Sequence, residues 1–277
     1  MKSDIARSDP IIHLKKFLLY NKKKGFLIMK KINLEKYIYR IFSLSAFYRY
    51  SKDLFENEGI RNEIKKQEMD NMLSTANSFK SLKIDAQTFI NSFKGKIEEN
   101  IEKNIDNSIK ILRQQIIVSS HTIFENFLCN VVRAYLNVFP IILKEKNKSI
   151  SFRDIIDLKG NNSILNFIIE KEVNDFSWLS LQEKKAYLSN RLKIPNQKEL
   201  WEMDQEDLFI EIDKKRHSIV HDDNPVEITE EELYKYLYYF QRIIFGLSVT
   251  AKIYQGVDFI WENISEQLPG KKKPTLK

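Results

Sequence analysis

The clearest rhythm of apolar and polar positions lies in "IDNSIKILRQQIIVSSHTIFENFLCNVVRAYLNVF", which begins at Ile105. Ile105, Ile109, Leu112, Ile116, Ile123, Phe127 and Val138 recur at steps of three or four or their multiples, one face of a helix turning about 100° per residue. A second stripe of His121, Glu125, Leu128, Val132 and Leu136 lies roughly 100–180° around the same helix. A helix apolar on two sides belongs at the centre of a bundle. Ser119 and Ser120 interrupt the first stripe with small side chains, so a neighbouring helix can come close, and Pro140 ends the helix or falls just beyond it.

Other elements group around this one. Residues 33–51 predict a helix that is apolar over most of its circumference, with Asn33 able to cap its start. "NEIKKQEMDNMLSTANSF" predicts a polar helix, and residues 85–94 a separate short turn or helix ahead of the long one starting near Ile101. Residues 144–200 read as short mixed pieces. A helix is expected from about Gln205 to His221, then the loop "DDNP". Thr229 with Glu232 three residues later forms a capping box opening a final helix to about Tyr254, lined by Leu233, Tyr236, Leu237, Phe240, Ile243, Ile244, Leu247 and Ala251. The expected class is all-α, a helical bundle with an additional N-terminal helical region. Its expected segments are a basic extension (1–32), the N-terminal helical region (33–100), the main helical domain (101–264) and a Lys-rich tail (265–277).

Composition narrows the function classes. Only 7 Gly and 6 Pro occur in 277 residues, which disfavours repeated β-turns and leaves few places for a phosphate-cradling glycine loop. Neither G-x-G-x-x-G nor G-x-x-x-x-G-K-S/T is present. The single Cys129 removes an intrachain disulfide framework and points to a reducing, cytoplasmic setting; in the helix pattern it reads as a small core residue. No apolar run approaches the roughly 18–20 residues of a membrane span, so no membrane partner is expected. Met29 is a second candidate translation start, which would make residues 1–28 a loose extension. The net charge of +7 is uneven: residues 1–50 hold 12 Lys/Arg against 3 Asp/Glu, residues 271–277 add four Lys, and the stretch between holds 29 basic and 35 acidic residues. Such ends suit either contact with nucleic acid or a purely solubilising role.

Candidate chemistry concentrates in "RHSIVH", Arg216 to His221. With Leu208 at zero, Phe209, Ile212, Ile219 and Val220 fall within about 20–120°, and Arg216 falls inside that apolar arc at about 80°. An arginine is rarely buried without a partner. His217 and His221 lie on the margin of the arc. His221 also occupies the last helical turn, where unpaired carbonyls attract positive charge, and an imidazole there can serve as general acid or base. An ordinary capping cation and an internal Arg–Glu125 pair explain the same residues without chemistry. No H-E-x-x-H and no cysteine pair occurs, so a metal site would depend on His13 and His121 joining the pair, and no metal or other cofactor is expected.

The R-x4-H run, with polar His217 after Arg216, resembles the signature of the HEPN superfamily of all-α domains, in particular its ribonuclease-type members. The earlier helix with "SSHTIFENFL", the short loop after the motif and the long final helix resemble that family too, over roughly residues 100–255. The resemblance implies a homodimer with a composite cleft. There Arg216 would stabilise charge developing on a phosphate, His221 would transfer protons and His217 would position substrate, giving 2′,3′-cyclic phosphate and 5′-hydroxyl ends without a metal. Glu125 pairs either with Arg216 or His221, or with His121 one turn before it.

The function expected on this basis is an endoribonuclease acting as a bacterial toxin or in anti-phage defence, on single-stranded or looped RNA, with an antitoxin or regulatory protein as a further partner. The alternative is a non-catalytic HEPN-type module binding nucleotide, RNA or a partner protein. Tyr234, Tyr236, Tyr238 and Tyr239 are candidates for base contacts or for core positions.

Overall fold

The computed structural model describes residues 32–78, 85–145, 161–194, 208–221, 226–255 and 259–260. Among these the chain is helical: α1 (Leu34–Glu56), α2 (Glu58–Ser78), α3 (Ala86–Val138), α4 (Asn161–Ser177), α5 (Leu181–Ala186), α6 (Leu208–His221) and α7 (Glu230–Gln255). A six-residue 3₁₀ turn, Pro140–Glu145, follows α3. Two-residue strands β1 (Ile32–Asn33) and β2 (Phe259–Ile260) are too short to form a layer. The all-α class expected from the sequence is what the described residues show. None of their helices is long and apolar enough to cross a membrane. His13, Met29 and the two chain ends lie outside the described residues.

The expected break between residues 85–94 and Ile101 is absent. Helix α3 runs unbroken for 53 residues. The polar stretch that suggested a break is a solvated part of the same helix, carrying the i,i+4 pairs Lys94–Glu98 (3.9 Å) and Lys103–Glu99 (2.6 Å). Gly95 lies within it with open space around it. A glycine there costs the helix about 1 kcal/mol relative to alanine, too little to interrupt it.

Two compact units divide the described residues. One, which carries the candidate site, is built from α1, α2, α3 up to Leu128, α6 and α7 up to Val249. Its core is the side of α3 bearing Ile116, Ile117, Phe124, Phe127 and Leu128, together with Phe209 and Ile212 of α6 and Leu233, Tyr236, Phe240, Ile243 and Ile244 of α7. Phe124 meets Phe240 at 5.0 Å and Phe209 at 5.5 Å between ring centroids. Both predicted stripes of α3 supply buried residues. Phe124 and Ile117 belong to neither stripe, yet both are fully buried, so α3 is enclosed more completely than two stripes require. Ser120 is also buried, its hydroxyl donating to the Ile117 carbonyl at 2.9 Å.

Polar contacts fix the order of the outer helices. Asn57 caps α2, its side-chain oxygen accepting the Ile60 N–H at 3.1 Å. Arg61 of α2 reaches Glu102 (2.6 Å) and Asp106 (2.8 Å) of α3, and Lys65 also pairs with Glu102. Arg113 of α3 donates to the Tyr48 hydroxyl of α1 at 2.8 Å and to the Ile228 carbonyl at 3.2 Å, while Gln114 donates to the Val226 carbonyl at 2.7 Å. These last two bonds hold the segment leading into α7 against α3.

The other unit takes α3 from Cys129 onward, the 3₁₀ turn, α4, α5 and the last turns of α7. The capping box Ser180–Glu183 starts α5, which continues as one wide π turn through Tyr187–Arg191. Inside this unit the buried Glu172 carboxylate accepts the Tyr187 hydroxyl at 2.7 Å, with Arg191 at 3.6 Å. Burial, followed by the bond to Glu172, pushes the Tyr187 phenol far above its usual range. Cys129 is half-buried rather than a core residue.

Candidate functional site

Helix α6 carries Arg216, His217 and His221, and its neighbours hold it firmly along its first half. Leu208, Phe209 and Ile212 are buried. Lys215 bridges to Glu232 of α7 at 2.6 Å and approaches Glu211, one turn back, at 3.8 Å, with its ammonium 5.6 Å from the Tyr236 ring centre. The Tyr236 hydroxyl donates to Glu211 at 2.5 Å. Burial, then this bond, pushes the Tyr236 phenol far above its usual range.

The start of α7 follows the sequence expectation. Glu232 N–H donates to the Thr229 hydroxyl at 3.1 Å and Thr229 N–H donates back to the Glu232 carboxylate at 2.8 Å, a reciprocal capping box. Burial works to raise the Glu232 carboxyl, but the bonds from Lys215 and from the Thr229 N–H outweigh it and hold the group below the usual carboxylate range.

The second half of α6 differs. Ile219 is only half-buried and Val220 is 46% exposed, so the apolar arc read from the sequence is covered at its N-terminal end alone. Phe209 meets the Phe124–Phe240 ring cluster, whereas Val220, three turns on, faces solvent. Arg216 is half-buried, and its Nε is fully enclosed with no hydrogen-bond partner among the described residues. His217 and His221 are exposed one turn apart, ring centroids 4.6 Å from each other and tilted by 43°. The structure therefore brings the two imidazoles together at the end of the helix that carries the arginine.

Glu125 lies half-buried on α3, one turn beyond His121. The carboxylate described beside His121 is Asp213 of α6, with Oδ1 3.2 Å from His121 Nε2. That contact is a charge-type approach rather than a hydrogen bond, and the buried Nε2 has no hydrogen-bond partner among the described residues. The His121 ring packs against Phe209 (5.5 Å) and Phe240 (6.2 Å), so its body belongs to the aromatic core. Sequence reasoning placed His121 on the stripe with Glu125 and missed Asp213 and Lys215. The i,i+4 spacing of Glu211 and Lys215 was the available signal for the latter.

Of the four candidate tyrosines of α7, Tyr236 and Tyr239 are core, while Tyr234 and Tyr238 reach the surface. Among the described residues no group of three or more His, Cys, Asp or Glu is arranged to hold a metal ion. The chain matches no known family, no curated protein and no solved structure.

Proposed function

We propose that the chain is a metal-independent endoribonuclease of HEPN type that works as a homodimer, in the setting of a toxin or of defence against phage. One observation carries the reading: an arginine whose enclosed Nε has no hydrogen-bond partner among the described residues stands one position from a pair of exposed imidazoles 4.6 Å apart at the end of α6. An unsatisfied buried donor is destabilising by about 1–3 kcal/mol, and a phosphate oxygen is a strong acceptor for it. The half-open apolar end of α6, with Val220 exposed, supports a second protomer closing over the same place.

In this reading the RNA 2′-oxygen attacks the adjacent phosphorus and the bond to the 5′-oxygen breaks. The 2′ proton passes to one imidazole and the departing 5′-oxygen takes a proton from another, the role assigned to His221. Arg216 stabilises the charge that gathers on the non-bridging oxygens. His217 positions the substrate, and Glu125 supports the cluster from α3.

Total RNA incubated in EDTA with the wild type and with His221→Ala, followed by mapping of end groups, tests the proposal. Cyclic-phosphate and 5′-hydroxyl ends from the wild type alone are expected. Equal cleavage by both proteins removes His221 from the chemistry, and no cleavage by a folded dimer favours a binding module instead.

A further inference from the structure

His217 and His221 stand one turn apart on the same side of α6. Both rings are exposed, their centroids are 4.6 Å apart, and their planes are tilted by 43°. Among the described residues neither ring makes a hydrogen bond or an ion pair. His121 differs on each count, since it is packed against Phe209 and Phe240 and lies 3.2 Å from Asp213. The pair on α6 therefore offers two uncommitted imidazoles to whatever can use both at once.

The spacing fits one kind of guest. A metal ion holds an imidazole nitrogen at about 2.0–2.1 Å, and the ring centre lies about 1.1 Å further along the same line. Two such rings bring their centroids to about 4.5 Å when they meet the ion at a right angle and to about 5.2 Å at a tetrahedral angle. The observed 4.6 Å lies at the near end of that range. Because both side chains are exposed, each ring can turn its nitrogen toward a shared ion without disturbing the core.

Ligand type narrows the ion. Imidazole suits zinc and nickel, whereas magnesium and calcium take oxygen ligands. The described residues supply no third His, Cys, Asp or Glu to the pair, so water fills the remaining positions. A structural zinc site is closed by four protein ligands. A pair of ligands makes instead an exchangeable site, filled and emptied as the concentration of metal changes.

Occupancy has a chemical consequence. A nitrogen bound to metal has its lone pair engaged and can neither take a proton nor carry one to a leaving oxygen. We infer that His217 and His221 form a two-imidazole chelate for a divalent transition metal ion of the zinc and nickel kind, and that filling it switches RNA cleavage off. The chelate stands on the geometry of α6, and the switch rests on the ribonuclease reading. The metal here is an inhibitor, in keeping with cleavage that proceeds in EDTA.

Isothermal titration calorimetry of the full chain, stripped with EDTA and returned to metal-free buffer, tests the chelate with zinc, nickel and magnesium. Wild type is expected to bind one zinc or nickel ion per chain and no magnesium. Changes in the groups that merely support a metal ligand cost about 10–100-fold in affinity, so His217→Ala and His221→Ala are each expected to lose at least about tenfold. His121→Phe is expected to bind as wild type does. Long-range 1H–15N spectra of the imidazoles keep the test valid if a variant folds poorly: zinc should move the His217 and His221 signals of the wild type and leave His121 in place. Equal affinity in wild type and both alanine variants overturns the chelate, as does a folded wild type that binds no zinc at millimolar concentration. In cleavage assays begun without metal, zinc should suppress cyclic-phosphate products in step with occupancy, and EDTA should restore them. Unchanged cleavage at saturating zinc overturns the switch. The two proposals fail separately: a chain that chelates zinc through both histidines yet yields no cyclic-phosphate ends without metal rejects the ribonuclease reading, and the switch with it, and leaves the chelate. Cleavage by a chain that binds no zinc rejects the chelate alone.

Discussion

Replacing Arg216 with methionine should make the isolated protein more stable while abolishing RNA cleavage. The guanidinium Nε is enclosed without an acceptor among the described residues, a situation that costs about 1–3 kcal/mol. Methionine is unbranched, of similar reach and free of donors, so it fills irregular space beside Ile212 and Ile219 without leaving a nitrogen unsatisfied. Arg216 as a whole is only half-buried, which brings the expected gain toward the lower end, about 1 kcal/mol. For a chain of this size that corresponds to roughly 2–4 °C in Tm. Urea unfolding followed by circular dichroism, at a low and a high protein concentration, separates the protomer's own stability from a contribution made by dimerisation. A loss of about 3 kcal/mol or more at low concentration would refute the reasoning, because a loss of that size marks an arginine whose removal strands a buried partner within the same chain. A stabilised variant that still cleaves RNA would refute the functional half and leave the energetic half standing.

Four further outcomes follow from the same contacts. Thr229→Ala removes the hydroxyl that accepts the Glu232 N–H and should lower stability by about 1 kcal/mol in urea unfolding. Glu232 is held below the usual carboxylate range in the folded state. Its contribution is therefore complete above about pH 4.3, the unfolded value, and is lost as pH falls through the lower folded value. Acid titration of wild type against Glu232→Gln should show the two stability curves converging in that range. Phe124→Ala opens a hole among Phe209 and Phe240 and should cost about 3–5 kcal/mol, read from the urea midpoint. His121→Phe keeps the ring contacts and removes Nε2, which has no hydrogen-bond partner among the described residues, so stability should be unchanged or rise by about 1 kcal/mol with cleavage retained; a loss above about 1 kcal/mol would mean that the contact with Asp213 outweighs the burial of Nε2.

Regular features were legible from the sequence because they depend on local spacing. The capping box at Thr229 and Glu232 needs only two residues three apart, and it formed as read. The core stripes of α3 and α7 follow from a period of 3.6, and the final helix ends one residue from its expected limit. The failures came where spacing says nothing about the neighbour. A polar surface stretch around residues 95–100 looks the same whether the helix continues or stops, and it continued. Val220 sits on the apolar arc of α6, but whether an arc is covered depends on where the adjacent helix ends. The approach of Asp213 to His121 joins residues 92 positions apart, and nothing local announces it. The exposed rings of α1 were the hardest to anticipate, since an aromatic residue in a helix reads as core until its opposite face proves to be the buried one.

Helix α6 is over-determined at one end and under-satisfied at the other, and the contrast bears on its purpose. Phe209 and Ile212 are locked in the core, and Lys215 is tied to Glu232 and Glu211. The next residue has a buried donor with no acceptor among the described residues, and the five after it include two exposed imidazoles and an exposed valine. Water does not reach the Arg216 Nε, and the Arg216→Met variant tests whether stability accounts for the residue. Enclosed donors without a hydrogen-bond partner among the described residues also occur at His121, Tyr135 and Arg191, and what sets Arg216 apart is its place beside two exposed imidazoles on a rigid support, the arrangement that the proposed ribonuclease site requires.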